Sequence, residues 1–239
     1  DLWFGRQAGP PRAASSCWLG GGSSTSGAEF AGQSRIATAD TDGKWIARLE
    51  AMPASSEGRP LQIRSSQDRI TFKNVVVGEV WLASGQSNMQ FPMSACARRM
   101  KTIAATLREQ PDPNIRFLRI SCPDSPSLRD IKRHEIAWNV DSQSTRPGYS
   151  AVAFFFARKV ANHLGVPVGV IESSWGGKPI EGFIPSEEFE TREALRPIAE
   201  LVRNNKLEEV GALEGGVIIR NTAGMPGRIF NSRLAPVAP

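Results

Sequence analysis

A chain of 239 residues, 40% hydrophobic and 22% charged, is long enough to bury a core of its own and reads as an ordinary globular protein of one or two domains. Its net charge of +5 comes from 29 basic and 24 acidic residues scattered along the sequence; without a dense Lys/Arg block or stacking aromatics among the basic residues, this argues against nucleic acid as a partner. Three widely spaced cysteines (Cys17, Cys96 and Cys122), with no CxxC or Cys/His cluster, argue against a zinc site, and the longest apolar run, 151–157, is far too short to cross a bilayer.

Residues 1–27 are rich in Gly and Ser and show no periodicity, so a linker or poorly ordered tail is the expectation. From Glu29 the pattern changes. "RIATADTDGKWIARLEA" alternates apolar and polar residues on both sides of Asp42-Gly43, a strong hairpin signal, and "LQIRSSQDRITFKNVVV" does the same around "SSQD". Two hairpins in succession predict a small antiparallel, β-sandwich-like module over 28–77. The carboxylates of "DTDG" suit a turn better than calcium, because the Glu-terminated loop of an EF-hand is absent.

After Gly78 the sequence becomes α/β. "EVWLAS" (79–84) reads as a buried-type strand and "MSACARRMKTIAATLREQ" (93–110) as one helix closed by Pro111 and Pro113. "IRFLRI" (115–120) is a second buried strand and "EIAWNV" (135–140) a third. "SAVAFFFARKVANHLG" is a helix with Gly165 just past its end, and "VPVGVIESS" (166–174) is a strand running into the Gly-rich "WGGKP". Alternating strands and helices predict a mostly parallel sheet flanked by helices over 78–239. The strand after 166 is expected to leave an open apolar edge.

Ligands of an open parallel sheet gather beyond the carboxyl ends of its strands. Two loops of unusual composition fall there, "SGQSNM" (84–89) and "SSWGGKPIEG" (173–182). Gly85 permits a sharp turn, after which Ser87 can present its hydroxyl at the end of the sheet; the competing reading is a Ser that caps a helix. The G-x-S-x-G elbow of lipases is not met, since Met89 takes the last Gly position around Ser87 and Glu172 the first around Ser174.

Three separated blocks, "GEVWLASGQSNM", "SAVAFFFARKVANHLGVPVGVIESSWGGKPIEGF" and "GRIFNSRLAPVAP", resemble the sialate O-acetylesterases, SGNH-type hydrolases related to carbohydrate acetylesterases. The resemblance covers about 28–239. It implies a serine esterase, free of cofactor and metal, that removes O-acetyl groups from sialic acid or a related sugar. Ser87 matches the nucleophile, with its own N–H as one oxyanion donor and the backbone of Gly148 as a second. Gln86, Asn88, Trp175, Gly176 and Gly177 become candidate substrate contacts, although tight packing of glycine against a neighbouring strand would explain the diglycine equally well. The resemblance also implies export, although this chain begins at Asp1 without a signal peptide.

The chain departs from the pattern in places. Lys178 stands where relatives carry a small hydroxyl residue, and "EGF" (181–183) where Glu-Ala-Trp is usual. The Gln-Gly-Glu block and the Asp-x-x-His pair that supplies the base are both absent. A serine hydroxyl needs such a base. His163, near the end of a helix, and His134, before a strand, are both expected to be structural or solvent-facing. Glu172 and Glu181 lie near the second loop, but a carboxylate is a weak base for Ser. The expectation is therefore an N-terminal fragment of an SGNH-hydrolase-like fold, lacking its C-terminal part and inactive alone. The alternative is a non-catalytic carbohydrate-binding or interaction module on a hydrolase-like scaffold; neither reading specifies an oligomeric state.

Overall fold

Alternating burial builds the first half of the molecule. The computed structural model describes residues 4–5, 13–18, 25–41, 43–66, 68–131, 136–204, 206, 209 and 224–237. Strand β3 (Thr25–Phe30) buries Ser26, Ala28 and Phe30, the period of two expected of a half-buried strand. It follows β1 (Phe4–Gly5) and β2 (Ala13–Trp18), both within the stretch 1–27 that shows no periodicity. The chain then turns at Ala31 and Gly32, with φ of 51° and 82°, the positive pair that a tight primed hairpin requires. This hairpin joins β3 to β4 (Gln33–Thr38).

The hairpin expected around Asp42-Gly43 does not form. Strand β5 (Lys44–Leu49) pairs with β2 in a separate two-stranded sheet instead of folding back on β4; Asp42 itself lies outside the described residues. Trp45, Ala47 and Leu49 of β5 pack into one cluster with Phe30, Leu61, Ile63 and Val75 from the larger sheet. Alternation thus identified strands at β4 and β5, but burial against the facing sheet decided their partners.

The second hairpin forms as its sequence predicts. Strand β6 (Ser55–Arg64) pairs antiparallel with β7 (Arg69–Gly85), and the Ser65 N–H donates to the Asp68 carbonyl at 2.8 Å. Strand β7 is 17 residues long and serves both halves of the molecule. Residues 69–77 pair with β6, whereas 79–85 run parallel to β10 (Val168–Ser174). The change of partner occurs at Gly78, where a Cβ would lie 2.1 Å from the Pro167 carbonyl oxygen, so only glycine fits.

Beyond β7 the strand order is β10, β8 (Ile115–Arg119) and β9 (Trp138–Val140), the last antiparallel. Strand β10 buries six of its seven residues because it is hydrogen-bonded on both sides. It is therefore not the open edge expected from sequence. Nor is 79–84 a fully buried strand: Trp81 and Leu82 are 42% and 48% exposed on the outer strand of the parallel set.

The helix expected over 93–110 is broken. After the short α1 (Ser87–Gln90), α2 (Met93–Ala97) and α3 (Lys101–Thr106) are separated by Met100, which is extended. On one continuous helix Met93 and Ile103 would point about 80° apart. The break brings both into the same buried cluster with Phe117, Phe154 and Val170. Helix α4 (Ala151–Leu164) forms as predicted, from the Ser150 cap, whose hydroxyl accepts the Ala153 N–H at 3.1 Å, to Gly165 at φ 65°. It lays Ala153, Phe154, Ala157 and Ala161 on the sheet. Helices α5 (Ser186–Thr191) and α6 (Arg196–Arg203) and a π-helical turn, Phe230–Leu234, follow.

Candidate active site

Adjacent parallel strands β7 and β10 end side by side, and their following loops meet. Gly85 closes β7 at φ 139°, a conformation that favours glycine, and the chain turns directly into α1. Ser87 is the first residue of that helix and not its cap; the capping position is Gln86, and no side chain caps it. The Ser87 hydroxyl is exposed, with Gln86 Oε1 at 3.4 Å. The competing helix-cap role for Ser87 is thus not observed.

The loop after β10 folds over this turn. Ser174 is in register with Gly85, and the Trp175 N–H donates to the Gly85 carbonyl at 2.9 Å. The Gly176 N–H donates to Gln90 Oε1 at 2.8 Å. A Cβ on Gly176 would sit 3.2 Å from Ser87 Oγ and 3.4 Å from Ser87 Cα. Ser87 and Gly176 therefore face each other across a contact so close that a side chain at 176 would crowd the serine. Gly177, at φ 70°, completes the bend.

A third segment, 146–151, borders the same turn. Pro92 and Ser150 form an isolated bridge, the Met93 N–H donates to the Tyr149 carbonyl at 2.8 Å, and the Ala151 N–H donates to the Phe91 carbonyl at 3.0 Å. Within this segment the N–H of Gly148 already donates to the Thr145 carbonyl at 3.0 Å, and its carbonyl accepts from Arg119. Gly148 is thus close to the site with its N–H engaged. Gln86 and Asn88 are exposed beside Ser87.

The charged residues of this region are mostly committed to each other. Glu172 is 2% exposed and accepts from Arg119 at 3.0 Å and from the Ser174 hydroxyl at 3.1 Å, which leaves it ill-suited to take a proton from Ser87. Glu181 is buried, and its Oε2 has no hydrogen-bond partner among the described residues. Arg146 and Asp141 form a buried pair at 2.5 Å, and the guanidinium also reaches the Thr106, Glu109 and Gln110 carbonyls. Asp141 holds the Arg146 guanidinium above its usual range, despite burial. Burial pushes the Tyr149 phenol up to about 12.

His163 is exposed in the last turn of α4, some 13 residues and about 20 Å along the axis from the end that borders Ser87. His134 lies outside the described residues. No group of three His, Cys, Asp or Glu residues that could hold a metal occurs among the described residues. The Cys96 thiol is half-buried, and the Cys122 thiol is buried and donates to the Ser232 carbonyl at 3.1 Å. Two cavities, of about 150 and 340 Å3, open at the opposite ends of the strands, around Ala54 and Val166 or Pro167.

Sequence reasoning missed three arginines. Arg146 and Arg119 carried faint signals, as charges flanked by apolar residues in "RPGYSAV" and "IRFLRI". Arg233 carried none: nothing in "NSRLAP" separates a buried Arg from a surface one. Its guanidinium lies 3.8 Å from the centre of the Trp175 ring, with Lys178 Nζ at 5.2 Å from the same centre.

The comparisons with known proteins bear on this arrangement. Sialate O-acetylesterases of Homo sapiens and Pongo abelii are each 32% identical to the chain over 151 residues, which is 58% of the chain and 28% of their own length. The chain is thus similar in sequence to the sialate O-acetylesterases. That of Rattus norvegicus is 29% identical over 150 residues. No protein-family model matches, and the chain spans about a quarter of the length of the curated relatives it matches. A carbohydrate acetylesterase from Xanthomonas citri has the same fold, with a TM-score of 0.76 at 21% identity, over 98% of this chain and 46% of that one. The fold shared with that acetylesterase is a mostly parallel sheet flanked by helices. No helix among the described residues of the chain is long and apolar enough to cross a membrane.

Proposed function

We propose that the chain carries the nucleophile of a serine esterase that removes O-acetyl groups from sialic acid or a related sugar. The observation that carries this reading is the contact between two loop ends. Ser87 offers an exposed hydroxyl, held by a long 3.4 Å bond to Gln86 Oε1, at the carboxyl end of β7, and Gly176, in the loop after β10, leaves space in front of it that a side chain would crowd. The relationship to the sialate O-acetylesterases supports the acetyl ester as substrate.

In this reading Ser87 Oγ attacks the ester carbonyl carbon, its proton passes to a base, and the bond to the sugar oxygen breaks as that oxygen takes a proton. Water then releases acetate from the acetyl-serine. The Ser87 N–H is the proposed oxyanion donor. Gly148 serves as a second only if its N–H leaves the Thr145 carbonyl. In the same reading Gln86, Asn88 and Trp175 are the proposed contacts to the sugar, and Gly176 and Gly177 the proposed wall beside it.

The second reading, a carbohydrate-binding module, is favoured by one observation: no described histidine is near Ser87, since His163 is at the far end of α4. Acetate release from mono-O-acetylated sialic acid, compared between the wild-type chain and Ser87→Ala, separates the two. Release that depends on Ser87 supports the esterase. Saturable binding of the sugar with no such release supports the module, and neither binding nor release contradicts both.

A further inference from the structure

Arg233 is 5% exposed and lies in the π-helical turn Phe230–Leu234. Its Nε donates to the Cys122 carbonyl at 2.7 Å and its Nη1 to the Ser174 carbonyl at 3.2 Å, while the guanidinium stacks on Trp175 at 3.8 Å. The turn is fastened to the same strand end from its own backbone: the Ser173 hydroxyl donates to the Arg233 carbonyl at 3.2 Å, and the Cys122 thiol to the Ser232 carbonyl at 3.1 Å. Burying a guanidinium on carbonyls and an aromatic face costs desolvation that these contacts only partly repay. Burial also holds its pKa below the usual arginine range. A leucine or methionine would fill the space without that cost. What the arginine adds is direction: its planar fork fixes the Ser174 carbonyl and the Trp175 ring in one geometry.

The next residue along is Gly176, whose missing side chain stands 3.2 Å from Ser87 Oγ. Loosening the Trp175 ring therefore moves the wall in front of the nucleophile. From this we infer that Arg233 is a positioning residue: through Trp175 it sets how closely the diglycine bend approaches Ser87, and so limits the acyl group accepted there to a small one such as acetyl. The inference rests on the esterase reading for its acyl-selectivity part and on geometry alone for its Trp175 part.

The test compares the wild-type chain with Arg233→Met and Arg233→Lys, using 4-nitrophenyl acetate and 4-nitrophenyl butyrate with the Ser87→Ala rate subtracted. The ratio of kcat/KM for the two esters is unaffected by the folded fraction, so simple destabilisation cannot move it. The expected result is an acetyl preference that falls by about tenfold in Arg233→Met and is partly restored in Arg233→Lys. An unchanged ratio overturns the proposal. Acrylamide quenching of the Trp175 signal, taken as the difference from Trp175→Phe, gives a readout that needs no turnover. It is expected to rise in Arg233→Met, and an unchanged value also overturns the proposal. If the wild-type chain hydrolyses neither ester through Ser87, the esterase reading fails, and the quenching result alone decides whether Arg233 holds Trp175.

Discussion

Replacing Gly176 by alanine tests the contact on which the site depends. The backbone at 176 is not in the left-handed region reserved for glycine, so the substitution changes space and little else. The new Cβ falls 2.7 Å from Gln90 Oε1 and 3.2 Å from Ser87 Oγ. The Gln90 amide, the end of a flexible side chain, swings away and gives up the Gly176 N–H bond, at a cost of about 0.5–1.5 kcal/mol in stability. The serine hydroxyl has less freedom, because Ser87 Cα is itself only 3.4 Å from the new carbon. It must yield by a few tenths of an ångström or change rotamer. Misplacement on that scale slows a well-aligned attack by about tenfold or more, equivalent to at least about 1.4 kcal/mol on the barrier. Gln90→Ala is the control, since it removes the same hydrogen bond without crowding Ser87. Denaturant melts should show similar losses of stability for both variants. Ser87-dependent ester hydrolysis should fall sharply only in Gly176→Ala. Equal rates in the two variants would refute the reasoning.

Two further predictions concern the segment that borders the site. Arg146→Met strands Asp141 as a buried, unpaired carboxylate and should destabilise the chain by about 3–5 kcal/mol in urea unfolding, whereas Arg146→Met combined with Asp141→Leu should recover most of that loss. Tyr149 is the only tyrosine in the chain, so tyrosinate absorbance titrates it alone. Its folded pKa of about 12 lies above the ordinary value of 10. The contribution of the neutral phenol is thus complete below pH 10 and is lost as pH rises towards 12, by about 1.4 kcal/mol per pH unit. Tyr149→Phe should flatten that part of the alkaline stability loss; an unchanged slope would show that the phenol is not desolvated.

Much of the fold was legible because its signals are local. The period of two in β6 and β7, the Ser cap and the Gly end of α4, and the buried runs of β8 and β10 each follow from residues close in sequence. Strand partners were not legible, since alternation says which face is buried and not which neighbour is chosen. Hence β5 joined β2 in place of β4, and β10 took a central position. The break at Met100 was hidden because both short helices keep helical composition, and only the shared core of Met93 and Ile103 shows why the chain bends.

At the candidate site, the turn glycine Gly85 and the two loop compositions pointed to two strand ends that the structure brings together. The arginines that hold those loops did not announce themselves, because their partners are mostly backbone carbonyls 29 to 111 residues away, as for Arg119 on Gly148 and Arg233 on Cys122. Carbonyl acceptors carry no sequence signature. Gly148 illustrates the reverse case: its place beside the turn was anticipated, but its engagement with Thr145 inside a 3-10 turn emerged only from coordinates.

The measurement that bears most directly on Ser87 is the trapping of its acyl form. The chain is mixed with 4-nitrophenyl acetate, quenched in acid and digested for peptide mass spectrometry. The account predicts one added acetyl group on the peptide that contains Ser87, lost in Ser87→Ala and much reduced in Gly176→Ala. Acetylation elsewhere with none on Ser87, or equal labelling of that peptide in the alanine variant, would contradict it.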